Sequence, residues 1–252
     1  MRLPQGEEKA VVVRRMFDAI APRYDLINRM MTFRLDTRWR HRCVASLDLA
    51  PGSRVLDLAA GTGDFCRLLA AGDQRPIGID FSSGMLAAAH TTAPLVQADI
   101  VRLPVPDGSA DGAVCGFALR NLVDLDAFFA ELARVVRPRG RIALLEVAIP
   151  PNPIVRWGHA VYFGRVVPRI GGLLSDPAAY RYLPRSVAYL PEPPRMLAML
   201  ADAGFADVTR TLLDGGISQL LVATRDRPEA HVQGALATPD GAVTRVDGKP
   251  GR

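Results

Sequence analysis

The sequence predicts an α/β fold built on one mostly parallel sheet, and three features point to it. Short apolar runs alternate with amphipathic helical stretches between residues 53 and 148, the pattern of parallel strands joined by crossover helices. The first of these runs ends in a glycine-rich turn that opens a helix, VLDLAAGTGD at 55–64. The last two runs, 206–213 and 217–224, flank Asp214-Gly215-Gly216. That is a hairpin signal, so a seven-stranded sheet is expected to end in an antiparallel pair.

Taken in order, residues 1–9 are polar and read as a frayed lead. Over 10–48 the apolar residues Val12, Met16, Ile20 and then Leu26, Ile27, Met30 recur at helical spacing, interrupted near Pro22, so helix, turn, helix is expected. Pro51-Gly52 makes a turn. Strands are then expected at 53–58, 76–80, 94–98, 112–117 and 141–148, with helices at 64–71, 84–91 and 126–137. Residues 149–191 break the rhythm with prolines, Trp157 and tyrosines, and read as an inserted helical cap. A helix over 192–203 stops at Gly204 before the hairpin. Residues 226–252 lose apolar periodicity and aromatics and read as a disordered tail. The expected organisation is one domain, 10–225, plus that tail.

Composition narrows the class. The chain has 252 residues, 49% hydrophobic and 23% charged, as expected of one sizeable globular domain. No signal-peptide layout and no bilayer-length apolar run is present. Cys43, Cys66 and Cys115 are scattered without metal-ligand spacing, which favours packed thiols in a reducing cytoplasm over a disulfide frame or zinc site. The 31 Lys+Arg against 26 Asp+Glu leave +5. That modest excess could meet nucleic acid or anionic lipid without choosing between them.

The glycine loop is more informative. Ligands of open parallel sheets sit at the carboxyl ends of the strands. Gly61-Thr62-Gly63 bares the backbone there, but a full dinucleotide pattern needs a third glycine where the chain has Cys66. Asp64 at the helix start would also repel a phosphate. A nucleoside without phosphates, even a cationic one, suits the loop better. Asp57, Asp80 and Asp99 end three successive strands. Asp80 lies 19 residues past Gly61, close to the spacing of a ribose-binding acid, and Asp99 is placed for an adenine amino group. S-adenosylmethionine fits this set, with no phosphate and with a sulfonium.

The chain resembles the class I methyltransferases, which have a Rossmann-like fold, and within them the menaquinone/ubiquinone C-methyltransferase family. The resemblance spans about residues 10–225 and is carried by FDAIAPRYDLINRMMTFRLDTRW (17–39), VLDLAAGTGD, FALRN (117–121), RVVRPRGRIALLE (134–146) and AYRYLPRSV (179–187). GTGD is common to many methyltransferases; the first segment and Leu119-Arg120-Asn121 are more particular. The resemblance implies cofactor contacts at Thr62, Asp80 and Asp99-Ile100, beside the Asp57, Gly61 and Gly63 already singled out. The chain departs from the family pattern at Gly116 (serine), Asp36 (histidine), Arg137-Pro138-Arg139-Gly140 (KPGG), Ala148 (serine) and Ser218-Gln219 (a histidine nearby).

The implied chemistry is attack by a ring carbon of a reduced polyprenyl quinol on a sulfonium methyl, without a metal. Arg120 is the first candidate for holding a phenolate, the alternative being a pair with a carboxylate such as Glu146. Tyr24 is the second, able to orient substrate or to pack. Tyr180 and Tyr182 are expected to line the cap, and His41 and His159 to be surface residues. The basic chain and apolar cap suggest peripheral contact with an anionic membrane face. Demethylmenaquinol is the preferred substrate. Another small aromatic acceptor, and a binding protein without catalysis, stay open, as do the benzoquinol alternative and the oligomeric state. Nucleic acid is not expected, because FALRN, and no Asn/Asp-Pro-Pro-aromatic motif, follows the fourth strand.

Overall fold

The structure is a computed structural model that describes residues 4–166, 182 and 185–226. Three helices lead: α1 (Gly6–Ile20), α2 (Tyr24–Met31) and α3 (Leu35–Ser46), with a 3-10 turn at Ala21–Arg23 where Pro22 interrupts the helix. The α/β body follows as β1 (Arg54–Leu58), α4 (Asp64–Ala71), β2 (Arg75–Asp80), α5 (Ser83–Ala87), β3 (Leu95–Gln97), β4 (Ala110–Gly116), α6 (Leu125–Val135) and β5 (Val136–Val147). Then come α7 (Pro153–Val161), α8 (Pro193–Asp202), β6 (Phe205–Leu213) and β7 (Ser218–Arg225). The seven strands lie in the order β3-β2-β1-β4-β5-β7-β6. The first five pair in parallel, β7 runs antiparallel to β5, and β6 antiparallel to β7.

Strand order reverses between β1 and β4, which opens a crevice at their carboxyl ends. Successive strand residues face opposite sides. Leu56 and Leu58 join the core under α6 and α8, whereas Val55 joins the core under α3 and α4. The Phe128 and Phe129 rings of α6 sit 5.7 Å apart and both are fully buried, each stabilising the fold by about 1.5–3 kcal/mol. A third cluster, with Met16, Ile20, Met31 and Met85, seats α1 and α2 on the edge of the crevice.

Several expectations need correction. The chain is helical from Gly6, and Lys9 is buried. Its ammonium donates to the Leu122 carbonyl at 2.6 Å and lies over the Tyr189 ring, so the lead is anchored well before residue 10. Val12, Leu26 and Met30 are exposed at 40%, 57% and 45%. Met16 and Ile20 of the same periodic set are buried, as is Met31. Helix α5 ends at Ala87, not 91, because the chain turns back and the His90 amide bonds the Thr62 carbonyl. Strand β5 begins five residues early, at Val136, running through Arg139 at φ 66° with a register shift against β4. Of the cap, 167–181, 183 and 184 lie outside the described residues, as does all of the expected tail after Asp226. Asn152 accepts from the amides of Ile154 and Val155, with Pro153 in the first turn, so this pair caps α7.

Candidate active site

The loop after β1 is held from below. Asp57 has the same parity as Val55, so it points away from the crevice toward α4 and is wholly buried. Its Oδ2 accepts from the Cys66 amide at 3.0 Å, satisfying one of the four donors that a helix start leaves without partners. Its Oδ1 has no hydrogen-bond partner among the described residues. Burial pushes the Asp57 carboxyl up to about 7. Gly63, at φ 83°, forms the left-handed residue before α4, a conformation that a side chain disfavours. Thr62 donates its hydroxyl to Asp25 of α2. The glycine loop is therefore clamped between Asp57 beneath and Asp25 beside it.

Above the loop lies a cavity of about 380 Å³, bordered by the ends of the first four strands and by α1. Asp80 is 8% exposed and receives the Gly61 and Ser82 amides, each at 2.8 Å, on different carboxylate oxygens. Burial raises its pKa, and those two backbone donors lower it. These donors leave the carboxylate with unused acceptor capacity. Asp99, which accepts from the Val101 amide at 3.1 Å, and the buried Ile100 form the neighbouring wall. Two non-glycine residues with positive φ, Ala59 (58°) and Phe117 (58°), sit on the rim, a concentration of backbone strain typical of binding sites. The Asp18 carboxylate of α1 accepts from Ser82 and from the Gly84 amide, drawing α1 over the cavity.

At the other end are Tyr24, Asn121 and Leu122. Burial raises the Tyr24 phenol, opposed by the nearby Arg40 and Arg120, so it stays protonated at neutral pH. Asn121 donates to the Phe117 carbonyl at 3.3 Å and accepts from the Tyr182 hydroxyl at 3.2 Å. Arg120 is set one layer back. It does not line the cavity; its guanidinium pairs with Glu146, which is wholly buried, and its backbone amide also reaches that carboxylate. The carboxylate pair expected as the alternative for Arg120 is present and holds its Nη1, and its buried Nε has no partner among the described residues.

Gly61, Asp80, Asp99, Ile100 and Tyr24 thus share one cavity, while Asp57, Thr62, Gly63 and Arg120 support it from outside. Sequence reasoning missed Ala10, Val13 and Phe17 of α1 and the 122–124 segment. The period of α1 was visible, but not what it faces. Three of the five departures find local reasons. A side chain on Gly116 would meet the Phe65 ring at 2.6 Å. Asp36 is buried and accepts from Asn28, Thr32 and Arg40. Gln219 accepts from Arg210 at 2.6 Å and donates to the Val147 carbonyl at 2.9 Å. Tyr182 borders the site through Asn121, and Tyr180 lies outside the described residues. His41 is exposed. His159 is half-buried on Phe163 at 4.4 Å, not a free surface residue.

Sheet order, glycine loop, acid-walled cavity and closing hairpin define a class I S-adenosylmethionine-dependent methyltransferase. Solved structures with this fold include a Thermotoga maritima S-adenosylmethionine-dependent methyltransferase, at TM-score 0.60 and 15% identity over 84% of this chain and 99% of that one. The Haemonchus contortus phosphoethanolamine N-methyltransferase 2 bound to S-adenosylmethionine matches at 0.54 and 14%, over 74% and 52%. The chain belongs to the ubiE/COQ5 methyltransferase family, whose model matches residues 4–225. It is 41% identical to the ubiquinone/menaquinone biosynthesis C-methyltransferase UbiE of Syntrophotalea carbinolica, over 85% of this chain and 94% of the relative. It is 43% identical to the demethylmenaquinone methyltransferase of Thermus thermophilus, over 84% and 100%. The cofactor is S-adenosylmethionine, and the unused acceptor capacity of Asp80, facing a cavity of sufficient size, fits it.

Proposed function

We propose that this enzyme methylates a ring carbon of a demethylated polyprenyl quinol, demethylmenaquinol to menaquinol, in respiratory quinone biosynthesis. One observation carries the reading: relatives bearing that activity in their names correspond to this chain at 41–43% identity through nearly their whole length. When bound, the cofactor supplies an electrophilic methyl group on a sulfonium.

The residues of this chain take the remaining roles. Asp80 accepts from the ribose hydroxyls, and Asp99 with Ile100 borders the base. Gly61 and Gly63 keep the loop bare, and Asp57 and Thr62 hold its shape from behind. A quinol carbon is nucleophilic when its neighbouring oxygen carries negative charge, so the site must favour that charge and exclude water. Tyr24 donates to the oxygen from the cavity wall. Arg120, fixed by Glu146, adds positive charge one layer behind Tyr24 and Asn121. A prenylated quinol resides in a bilayer, so the same reading places the enzyme peripherally on the cytoplasmic membrane face. Among the described residues no helix is long and apolar enough to cross a membrane.

The test is direct. Purified protein, S-adenosylmethionine and chemically reduced demethylmenaquinone should yield a product heavier by one methyl on mass spectrometry. Absence of that product, with transfer to another aromatic acceptor, would reject the quinol reading and leave the methyltransferase intact.

A further inference from the structure

Helix α2 turns much of its apolar surface outward. Leu26 and Met30, one helical turn apart, are 57% and 45% exposed, and Phe33 just beyond is 72% exposed. Phe33 and Arg34 both adopt left-handed backbone, at φ 50° and 63°. Non-glycine residues rarely hold that conformation, and here two successive residues do so at the corner that presents Phe33. The Tyr162 hydroxyl donates to the Met31 carbonyl at 3.1 Å, and its ring lies 5.4 Å from Phe33. The corner is thereby braced against the end of α7. Arg29 and Arg34 lie among these side chains, and neither forms an ion pair among the described residues. Among the described residues the one acid in the same basin, Asp25, is engaged by Thr62.

We infer that this corner, Leu26, Arg29, Met30, Phe33 and Arg34, is a docking surface for an anionic phospholipid bilayer. Charge complementarity selects that occupant. Exposed guanidinia interleaved with exposed aromatic and aliphatic side chains suit a negatively charged interface, where apolar side chains enter the acyl boundary and arginines meet headgroups. A second copy of the chain would have to bring the same arginines together. The surface adjoins the helix that carries Tyr24, so docking would set the substrate end of the cavity near the membrane. In that respect the inference rests on the quinol reading, but the binding itself does not need the substrate.

The experiment is flotation of the full chain with vesicles of phosphatidylglycerol and phosphatidylcholine, against phosphatidylcholine alone, without quinol or cofactor. Wild type should float with the anionic vesicles only. Each surface arginine near such a membrane is worth about five-fold in partitioning. Arg29→Gln with Arg34→Gln should therefore weaken binding by about 25-fold, and Phe33→Ser should weaken it further. All should keep the wild-type melting temperature and turn over a tail-less demethylnaphthoquinol at the wild-type rate. Failure of wild type to float, or unaltered flotation of these variants, would overturn the inference. So would a dimer in sedimentation analysis that Phe33→Ser disperses. A wild type that floats as expected yet methylates no quinol would reject the substrate reading alone.

Discussion

Arg120 and Asp57 are both buried charged residues close to the site, and their surroundings predict opposite experimental signatures. Truncating Arg120 would strand the wholly buried Glu146. Breaking one side of such a pair costs about 3–5 kcal/mol, so Arg120→Ala should lose stability together with activity. Arg120→Lys is the informative variant, because an ammonium can still pair with Glu146 but lacks the planar fork. It should fold and bind S-adenosylmethionine normally, measured by calorimetry, while kcat falls by about 10- to 100-fold at unchanged KM. Asp57 titrates near 7 in the folded protein and near 3.8 in the unfolded chain. Between those values the folded state holds a proton that the unfolded chain has released, so stability falls as pH rises from about 4 to 7. Asp57→Asn should remove a slope of up to about 1.4 kcal/mol per pH unit in urea unfolding over that range.

Helices α2, α3 and α4 are joined by one buried polar network. Asp36, 1% exposed, accepts from Asn28 and Thr32 of α2's end and from Arg40, whose guanidinium also reaches Asp64 at 3.6 Å. Arg40 further lies over the Phe65 and Phe117 rings. The network thus fixes the helix that carries Tyr24 and Asp25 against the glycine loop. Arg40→Met leaves Asp36 buried without its charge partner and should cost about 3–5 kcal/mol in unfolding free energy. Adding Asp36→Leu should recover a large part of that loss, since an apolar pair carries no desolvation penalty. Circular dichroism during urea titration of the two single variants and the double variant measures the coupling. Strictly additive losses would show that the two side chains stabilise the fold independently.

Across the whole molecule, the sheet is completed by its last strand. Arg225 at the end of β7 donates to the Ala133 carbonyl of α6 at 2.8 Å and to the Gly204 carbonyl at 2.6 Å, tying the final hairpin to two helical layers. Hydrogen bonds from a charged donor contribute about 1.5–3 kcal/mol each when buried, and less here because Arg225 is half-exposed. Arg225→Met should lower stability by about 2 kcal/mol and the melting temperature by about 4–8 °C, with S-adenosylmethionine affinity unchanged because the cavity is on the far strands. An unchanged melting temperature would show that the strand pairing with β5 holds the hairpin without these bonds.

Much of this was legible along the chain, because strand and helix periods, glycine turns and the Asp214-Gly215-Gly216 hairpin are local properties of consecutive residues. The seven strands, the antiparallel close, the break at Pro22 and the acids at three strand ends follow from such signals. Folding in three dimensions decided the rest. Alternation alone could not say which side of β1 would receive α4, and that side turned Asp57 under the loop while Asp80 stayed on the cavity. The apolar spacing of α2 marked a helix but not its buried face, and in the fold Leu26 and Met30 are exposed while Met31 is buried. Arg120 was visible as a residue of the site, but whether it would touch substrate or pair with Glu146 depended on bringing β5 beside β4. Which groups meet is set by packing between segments far apart in sequence, and no local pattern encodes it.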